Sequence, residues 1–314
     1  MGVRRMNFEK AFNIGLTLDT TLKQFDVFLK KYHGYIRSFY FSPPLGWKFH
    51  TRAKITLQLL SPFKRRLFWK MLRLIQSYGI ELELLFNTLY LDDGLILKAK
   101  KLLIKKGIEV DSVAFLGRYF PSVKKYFPDK KYIWSFNNGL RTRREFEKIV
   151  KECEFDTIVL GSNFIRDNEF FKEVTSHGKK IILLLNNGCS FNCATCSAEN
   201  SLCGETFEKN LTKNSVEYLY ALQSIFPDEL YKGIIDASFI DCFKISNRGS
   251  KLAFAAEAMD SFITGSVRSY LEKDKNAYAY WGRAGFFWKY FPNLDLEKII
   301  EYKKEILGAE LEVK

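Results

Sequence analysis

The sequence predicts a single-domain (β/α)8 barrel of the TIM type, and three observations predict it. Short runs rich in β-branched and aromatic residues recur along the chain, separated by segments long enough for a helix. Several runs are apolar on both faces, as in FYF, IVL and ILLL, which strands covered by a barrel interior on one side and helices on the other require. Polar residues follow the runs, and the carboxyl ends of the strands are where barrels of this class build their sites. A chain of 314 residues fits one such barrel, and no internal repeat or linker rich in Gly, Ser or Pro divides it. Residues 1–314 are therefore read as one domain.

In chain order, strands are expected over Phe12–Leu18 and Ile36–Phe41. The basic stretch Pro62–Tyr78 follows, with Phe63, Leu67, Phe68, Met71, Leu72 and Ile75 at helical spacing, as in an outer helix that faces its sheet. Next come a strand at Leu82–Phe86, a helix at Leu95–Lys106 stopped by Gly107, and strands at Ser112–Leu116 and Tyr132–Phe136. The helix Arg143–Glu152, the strand Thr157–Leu160 and the helix Asn168–Ser176 before Gly178 continue the alternation. Strands seven and eight are expected over Ile181–Leu185 and Ile240–Ile245, with a last helix over Lys251–Lys273.

The strand ends read Ser42-Pro43-Pro44, Asn87-Thr88, Asn137-Asn138-Gly139, Gly161-Ser162-Asn163, Asn186-Asn187-Gly188-Cys189 and Ser246-Asn247-Arg248. Turn chemistry accounts for any one of these, since tight turns favour Asn and Gly. Their recurrence argues for a polar mouth.

Composition removes several classes. The chain is 47% hydrophobic and 16% aromatic, enough apolar surface for a large core, which excludes disordered and fibrous proteins. No apolar run reaches the roughly 18 to 20 residues of a membrane helix, and Met1–Lys10 lacks the apolar stretch of a secretory signal. A soluble, cytoplasmic chain is expected. The 49 basic and 36 acidic residues leave a net charge of +13, concentrated towards the front. Between Asp26 and Glu81 no acidic residue occurs, whereas eleven bases from Lys30 to Arg73 do. Such a block attracts anions, whether RNA, an anionic membrane surface or a phosphorylated small substrate, or else it is the solvated face of outer helices. No nucleic-acid motif accompanies it.

The six cysteines are Cys153, Cys189, Cys193, Cys196, Cys203 and Cys242. A disulfide framework does not suit a cytosolic chain of this size. Cys189, Cys193 and Cys196 fall in C-x3-C-x2-C spacing directly after the seventh strand, with Cys203 shortly behind. Thiolates so close repel one another unless a cation or cluster neutralises them. Zinc usually shows paired C-x2-C knuckles or a histidine partner, and His33, His50 and His177 are remote in sequence. Cysteines gathered on one loop suit iron–sulfur ligation. Cys153, and equally Cys242, also suits the part of a small buried apolar residue. No G-x-S-x-G motif supports a serine hydrolase.

The spacing of Cys189, Cys193 and Cys196 resembles the cluster loop of radical S-adenosylmethionine (SAM) enzymes. That resemblance implies a [4Fe-4S] cluster with one iron free for SAM and hydrogen abstraction from a substrate in the barrel mouth. The stretch Asn186-Asn187-Gly188-Cys189 at a late strand, with Phe243-Lys244-Ile245-Ser246-Asn247-Arg248 further on, is similar to the peptidase U32 family. That family includes iron–sulfur hydroxylation factors, and the likeness implies four cysteine ligands, the fourth being Cys203 or Cys242. The cluster then supports hydroxylation or electron transfer, and either version needs an electron donor.

Around the cluster, Lys244 and Arg248 are expected to meet anionic groups of a small substrate, or to form a rim salt bridge. Asn138 and Asn163 are candidate substrate ligands; Asn187 and Glu199 are candidates for the cofactor, with Glu199 reaching a substrate amine or the amino group of SAM. From a different class comes a metal-stabilised barrel whose basic first third binds RNA or another polyanion without chemistry.

Overall fold

The computed structural model describes residues 6–45, 61–87, 91–138, 140, 142–161, 164–185, 215–245, 252–265 and 295–308. Eight parallel strands close a barrel in chain order. They are β1 (Phe12–Gly15), β2 (Ile36–Phe41), β3 (Glu81–Phe86), β4 (Ser112–Phe115), β5 (Lys131–Trp134), β6 (Thr157–Leu160), β7 (Lys180–Leu184) and β8 (Cys242–Ile245). β8 pairs with β1 through Phe12↔Phe243, Asn13↔Lys244 and Ile14↔Ile245, so no edge is left open. The expected barrel is therefore observed, a (β/α)8 fold with helices interleaved between strands.

Each expected strand is present, with differences at the ends. β1 stops at Gly15 rather than Leu18, although Leu16 still donates its amide to the Tyr40 carbonyl. β8 starts at Cys242 because Ala237–Phe239 form a 3₁₀ turn capped by the Asp236 side chain, which holds Ile240 outside the ladder.

The helices are α1 (Leu22–Tyr32), α2 (Pro62–Ser77), α3 (Asp93–Lys106), α4 (Phe120–Tyr126), α5 (Arg143–Glu152), α6 (Asn168–Ser176), α7 (Val216–Gln223), α8 (Pro227–Tyr231), α9 (Leu252–Thr264) and α10 (Leu296–Leu307). Local sequence sets their ends. Thr21 with Gln24 and Thr142 with Glu145 make reciprocal capping boxes at the starts of α1 and α5. Asp92 caps α3, and Gly107, at φ 64°, ends it in the left-handed conformation that glycine adopts without strain. α9 stops at Thr264, short of the expected Lys273, with Gly265 again left-handed. On α2, Leu67, Phe68, Met71, Leu72 and Ile75 are buried as expected, together with Trp69; Phe63 on the first turn is exposed.

Strand alternation divides the core in two. Outward-facing side chains such as Phe12, Phe39, Leu84, Phe115, Ile158 and Leu183 pack under the helices. Inward-facing Tyr40, Leu85, Ala114, Ile133, Val159, Ile182 and Cys242 make a separate cluster inside the barrel. The amino end is closed by charge: Glu81 meets Lys131 at 2.9 Å and Arg37 at 3.7 Å, and Asp241 meets Arg37 and, at 3.7 Å, Lys180. No helix among the described residues is long and apolar enough to cross a membrane.

Candidate functional site

Above the ionic closure, the inward faces of β8, β1, β2 and β3 carry a connected polar group. Glu83, fully buried, receives Lys244 Nζ on Oε1 at 2.7 Å and Asn13 Nδ2 on Oε2 at 2.6 Å. Asn13 Nδ2 also lies 2.6 Å from Ser38 Oγ. The Lys244 ammonium sits 4.1 Å from the centroid of the Tyr40 ring, whose hydroxyl donates to the Ile245 carbonyl at 3.0 Å. The carboxylate fixes which end of the Asn13 amide faces it, because only the NH2 can donate there. Asn13 Oδ1 is then buried with no hydrogen-bond partner among the described residues, and so are Thr17 Oγ1 and Asn87 Oδ1. Alternation places Thr17 on the face of Asn13 and Asn87 on the face of Glu83, both nearer the carboxyl end. Gly15, between Asn13 and Thr17, adds no side chain to that column.

The opposite side of the mouth is apolar. A recess at the carboxyl ends of β5 and β6 is lined by Trp134, Ser135, Phe136, Val159, Gly161 and Phe164 among others. Gly117 is required there, since a Cβ at that position would overlap the Trp134 ring.

The expected site residues are distributed unevenly. Lys244 does face the barrel interior, but inside it rather than at the rim, with its charge met by Glu83. Asn138, expected as a substrate ligand, has its amide engaged by backbone. Nδ2 donates to the carbonyls of Phe115 and Ser135, and Oδ1 accepts from the Gly117 amide at 2.7 Å, so Asn138 braces the β4 and β5 ends. Cys242 is buried within the inward-facing apolar cluster, where desolvation raises the thiol pKa well above its usual value. Cys153 is half-buried at the end of α5, and burial again raises its thiol. Asn163, Asn187, Glu199, Arg248, Cys189, Cys193, Cys196 and Cys203 lie outside the described residues. Among the described residues no group of three or more His, Cys, Asp or Glu side chains is placed to hold a metal ion.

What the structure does fix is where the cysteine-bearing stretch leaves the barrel. Leu184 is in register with Lys244, and the Leu185 amide donates to the Lys244 carbonyl at 3.0 Å. The Leu185 carbonyl accepts from the Ile225 amide at 2.9 Å. Leu185, the last described residue before the cysteines, is therefore tied to the backbone of Lys244, whose side chain pairs with Glu83.

A second buried ionic cluster holds the return of that stretch. Glu229 receives Arg166 Nε at 2.5 Å and Lys303 Nζ at 2.9 Å, and its Oε1 also accepts from the Phe226 amide at 2.8 Å. Arg166 donates further to the carbonyls of Leu222 and Ser224, and Lys303 to that of Ser224. Burial pulls the Lys303 ammonium down to about 7 although Glu229 opposes this, with Arg166 adding to the fall. Burial also works against the Glu229 carboxylate, yet Lys303 and Arg166 together hold its pKa below the usual range. Lys303 lies on α10, which packs along α7, with Tyr218 and Tyr302 edge to face at 5.5 Å.

In the described part of the basic block, Arg65, Arg66, Lys70 and Arg73 are exposed on α2, while other bases are engaged elsewhere. Arg37 is in the amino-end closure, Lys30 pairs with Asp26, Lys31 with Asp260, and Lys64 donates to the Leu18 carbonyl at the opposite end. Lys48, Arg52 and Lys54 lie outside the described residues.

Glu83, Asn13, Ser38 and Tyr40 were not singled out from the sequence. Their signal was the polar alternation within FNIG, IRSFYF and ELELLF, which places Asn, Ser and Glu on a single face.

No family model matches the chain, and no curated protein matches it. Among solved structures it is similar to a U32 peptidase at 10% identity and TM-score 0.46, over 78% of this chain and 95% of that one. It is also similar to UMP synthase of Leishmania donovani at 10% identity and TM-score 0.42, over 82% and 55% of the two chains. A monomeric dihydrodipicolinate synthase variant is similar at 12% identity and TM-score 0.39, over 87% and 99%.

Proposed function

We propose that this barrel is an iron–sulfur enzyme whose [4Fe-4S] cluster is held by Cys189, Cys193 and Cys196 at the carboxyl mouth. The observation that carries the reading is the bond from the amide of Leu185, the last described residue before the cysteine-bearing stretch, to the carbonyl of Lys244, whose side chain pairs with Glu83 inside the barrel. The donor set fits such a group, because three closely spaced thiolates need a neutralising metal. A cluster there supplies one-electron chemistry to a substrate in the mouth, and SAM binding if one iron is left open. The chain's own part is to hold the substrate: Lys244 keeps Glu83 in place, Glu83 orients Asn13, and Val159 and Phe136 keep the far wall apolar.

The position of the stretch after the seventh strand favours a second version, in which a fourth cysteine closes the site as in U32-like proteins. Cys203 takes that place in preference to Cys242. The Cys242 side chain packs in the barrel interior at the level of Ile182, four residues before residue 186.

The test is anaerobic purification with iron, sulfide and zinc assays, followed by absorbance and electron paramagnetic resonance with and without SAM. Iron and sulfide in cluster proportion are expected. A spectrum shifted by SAM supports the open site, and loss of iron on Cys203→Ala, with retention on Cys242→Ala, supports four-cysteine ligation. Zinc without iron would sink both versions.

A further inference from the structure

We infer that the β1–β3 wall of the mouth is a binding subsite for an N–H donor group of the substrate, a carboxamide or an amine, rather than for the carboxylate or phosphate that the basic composition suggests. The inference rests on the mouth being the substrate site, as proposed above, and not on which metal the cysteines hold.

Three observations lead to it. First, the oxygens of this wall are left over. Asn13 Oδ1, Thr17 Oγ1 and Asn87 Oδ1 are buried without partners among the described residues, and a buried acceptor without a donor is unfavourable enough that native proteins rarely keep one. Asn13 lies on β1, and Thr17 and Asn87 lie just past the carboxyl ends of β1 and β3, which leaves acceptors on this side of the barrel for a donor to meet. Second, the cations described near this wall are engaged: Lys244 pairs with Glu83 at 2.7 Å, and Lys64 donates to the Leu18 carbonyl. An anion approaching Asn13 Oδ1 would meet the negative end of the amide dipole, with the Glu83 carboxylate behind it. Third, Gly15 adds no side chain to the column between Asn13 and Thr17. The Glu83 carboxylate fixes the Asn13 amide with its NH2 turned to Glu83, so the end of that amide left without a partner is an acceptor by construction. An N–H donor therefore meets preset acceptors, and Glu83 behind them favours a donor bearing positive charge.

The experiment uses the anaerobically purified full chain and three probes of one size: benzamide, benzylamine and benzoate, with binding read by saturation-transfer NMR titration. Benzamide or benzylamine is expected to bind at least about fivefold more tightly than benzoate, the worth of roughly one hydrogen bond. Asn13→Leu is expected to remove that margin while leaving benzoate unchanged. Because Asn13 also contacts Glu83, Asn87→Leu is made in parallel, and far-UV circular dichroism and the melting transition establish that each variant is folded. Benzoate bound as tightly as the amide overturns the subsite. So does amide binding unaffected by Asn87→Leu and by a folded Asn13→Leu, or no binding of benzamide and benzylamine. Iron is assayed on the same preparation, so a protein without iron that still prefers the amide disproves the cluster and keeps the subsite.

Discussion

Lys303 shows how much of a residue's character is set by its surroundings. In the run EYKKEIL it reads as one more lysine on a surface helix, yet it is fully buried against Glu229 and the Ser224 carbonyl. Its pKa of about 7 in the folded chain lies below the ordinary 10.5, which the unfolded chain regains. Between those values the unfolded chain binds a proton that the folded chain has released, so stability rises with pH across that window. Below about 7 both states hold the proton and this contribution to the slope vanishes. Urea titrations from pH 6 to 10 are expected to show the rise in the native sequence and its absence in Lys303→Met; a rise that survives the substitution would assign it elsewhere. Glu83 and Asn13 were legible in principle, because strand parity puts them on one inward face. The signal was masked by neighbours that are apolar on both faces, so that single polar residues read as interruptions. Asn138 carries a different ambiguity. An amide after a strand looks the same in sequence whether it faces a ligand or braces a turn.

At the scale of elements, the sequence placed all eight strands because each is a short apolar run bounded by turn residues. Helices α5 and α6 agree to the residue, since Thr142 with Glu145 and Asp167 supply explicit starts. α1 was overlooked although its signals are present: a Thr21–Gln24 capping box and Phe25, Phe28, Leu29 and Tyr32 at helical spacing. α4 and α8 are single short turns whose stability comes from packing, which periodicity does not report. One glycine links element ends to the mouth. Gly117, just past β4, lies under the Trp134 ring, and the Asn138 amide holds its backbone. Gly117→Ala forces that buried ring aside and is expected to destabilise the chain by about 1–3 kcal/mol, as overpacking does. Tryptophan fluorescence should shift with it, and an unchanged melting temperature and spectrum would show that the ring moves freely.

Across the whole molecule the two ends of the barrel have separate tasks. The amino end is closed by Arg37, Glu81, Lys131, Lys180 and Asp241, whose charges satisfy one another. The carboxyl end keeps unsatisfied oxygens and an apolar recess. Of the basic stretch that reads as one block in sequence, Arg37 lies in the amino-end closure, whereas Arg65, Arg66, Lys70 and Arg73 are exposed along α2. Topology was legible because it is written in periodicity. The site was only partly so, because it depends on which strands the closure brings side by side.

The bond between Leu185 and Ile225 has a consequence for how the protein is assembled. Leu185 and Ile225, which flank residues 186–224, are joined by a backbone bond, so the scaffold itself holds the two flanks of that segment together. On the proposed reading, in which the cysteines bind a metal, this bond holds the scaffold without the cargo, and apo and loaded forms are expected to share one barrel. Chelation under anaerobic conditions is expected to strip the metal while leaving the cooperative far-UV melting transition in place. A transition lost along with the metal would mean that the barrel needs its cargo to fold.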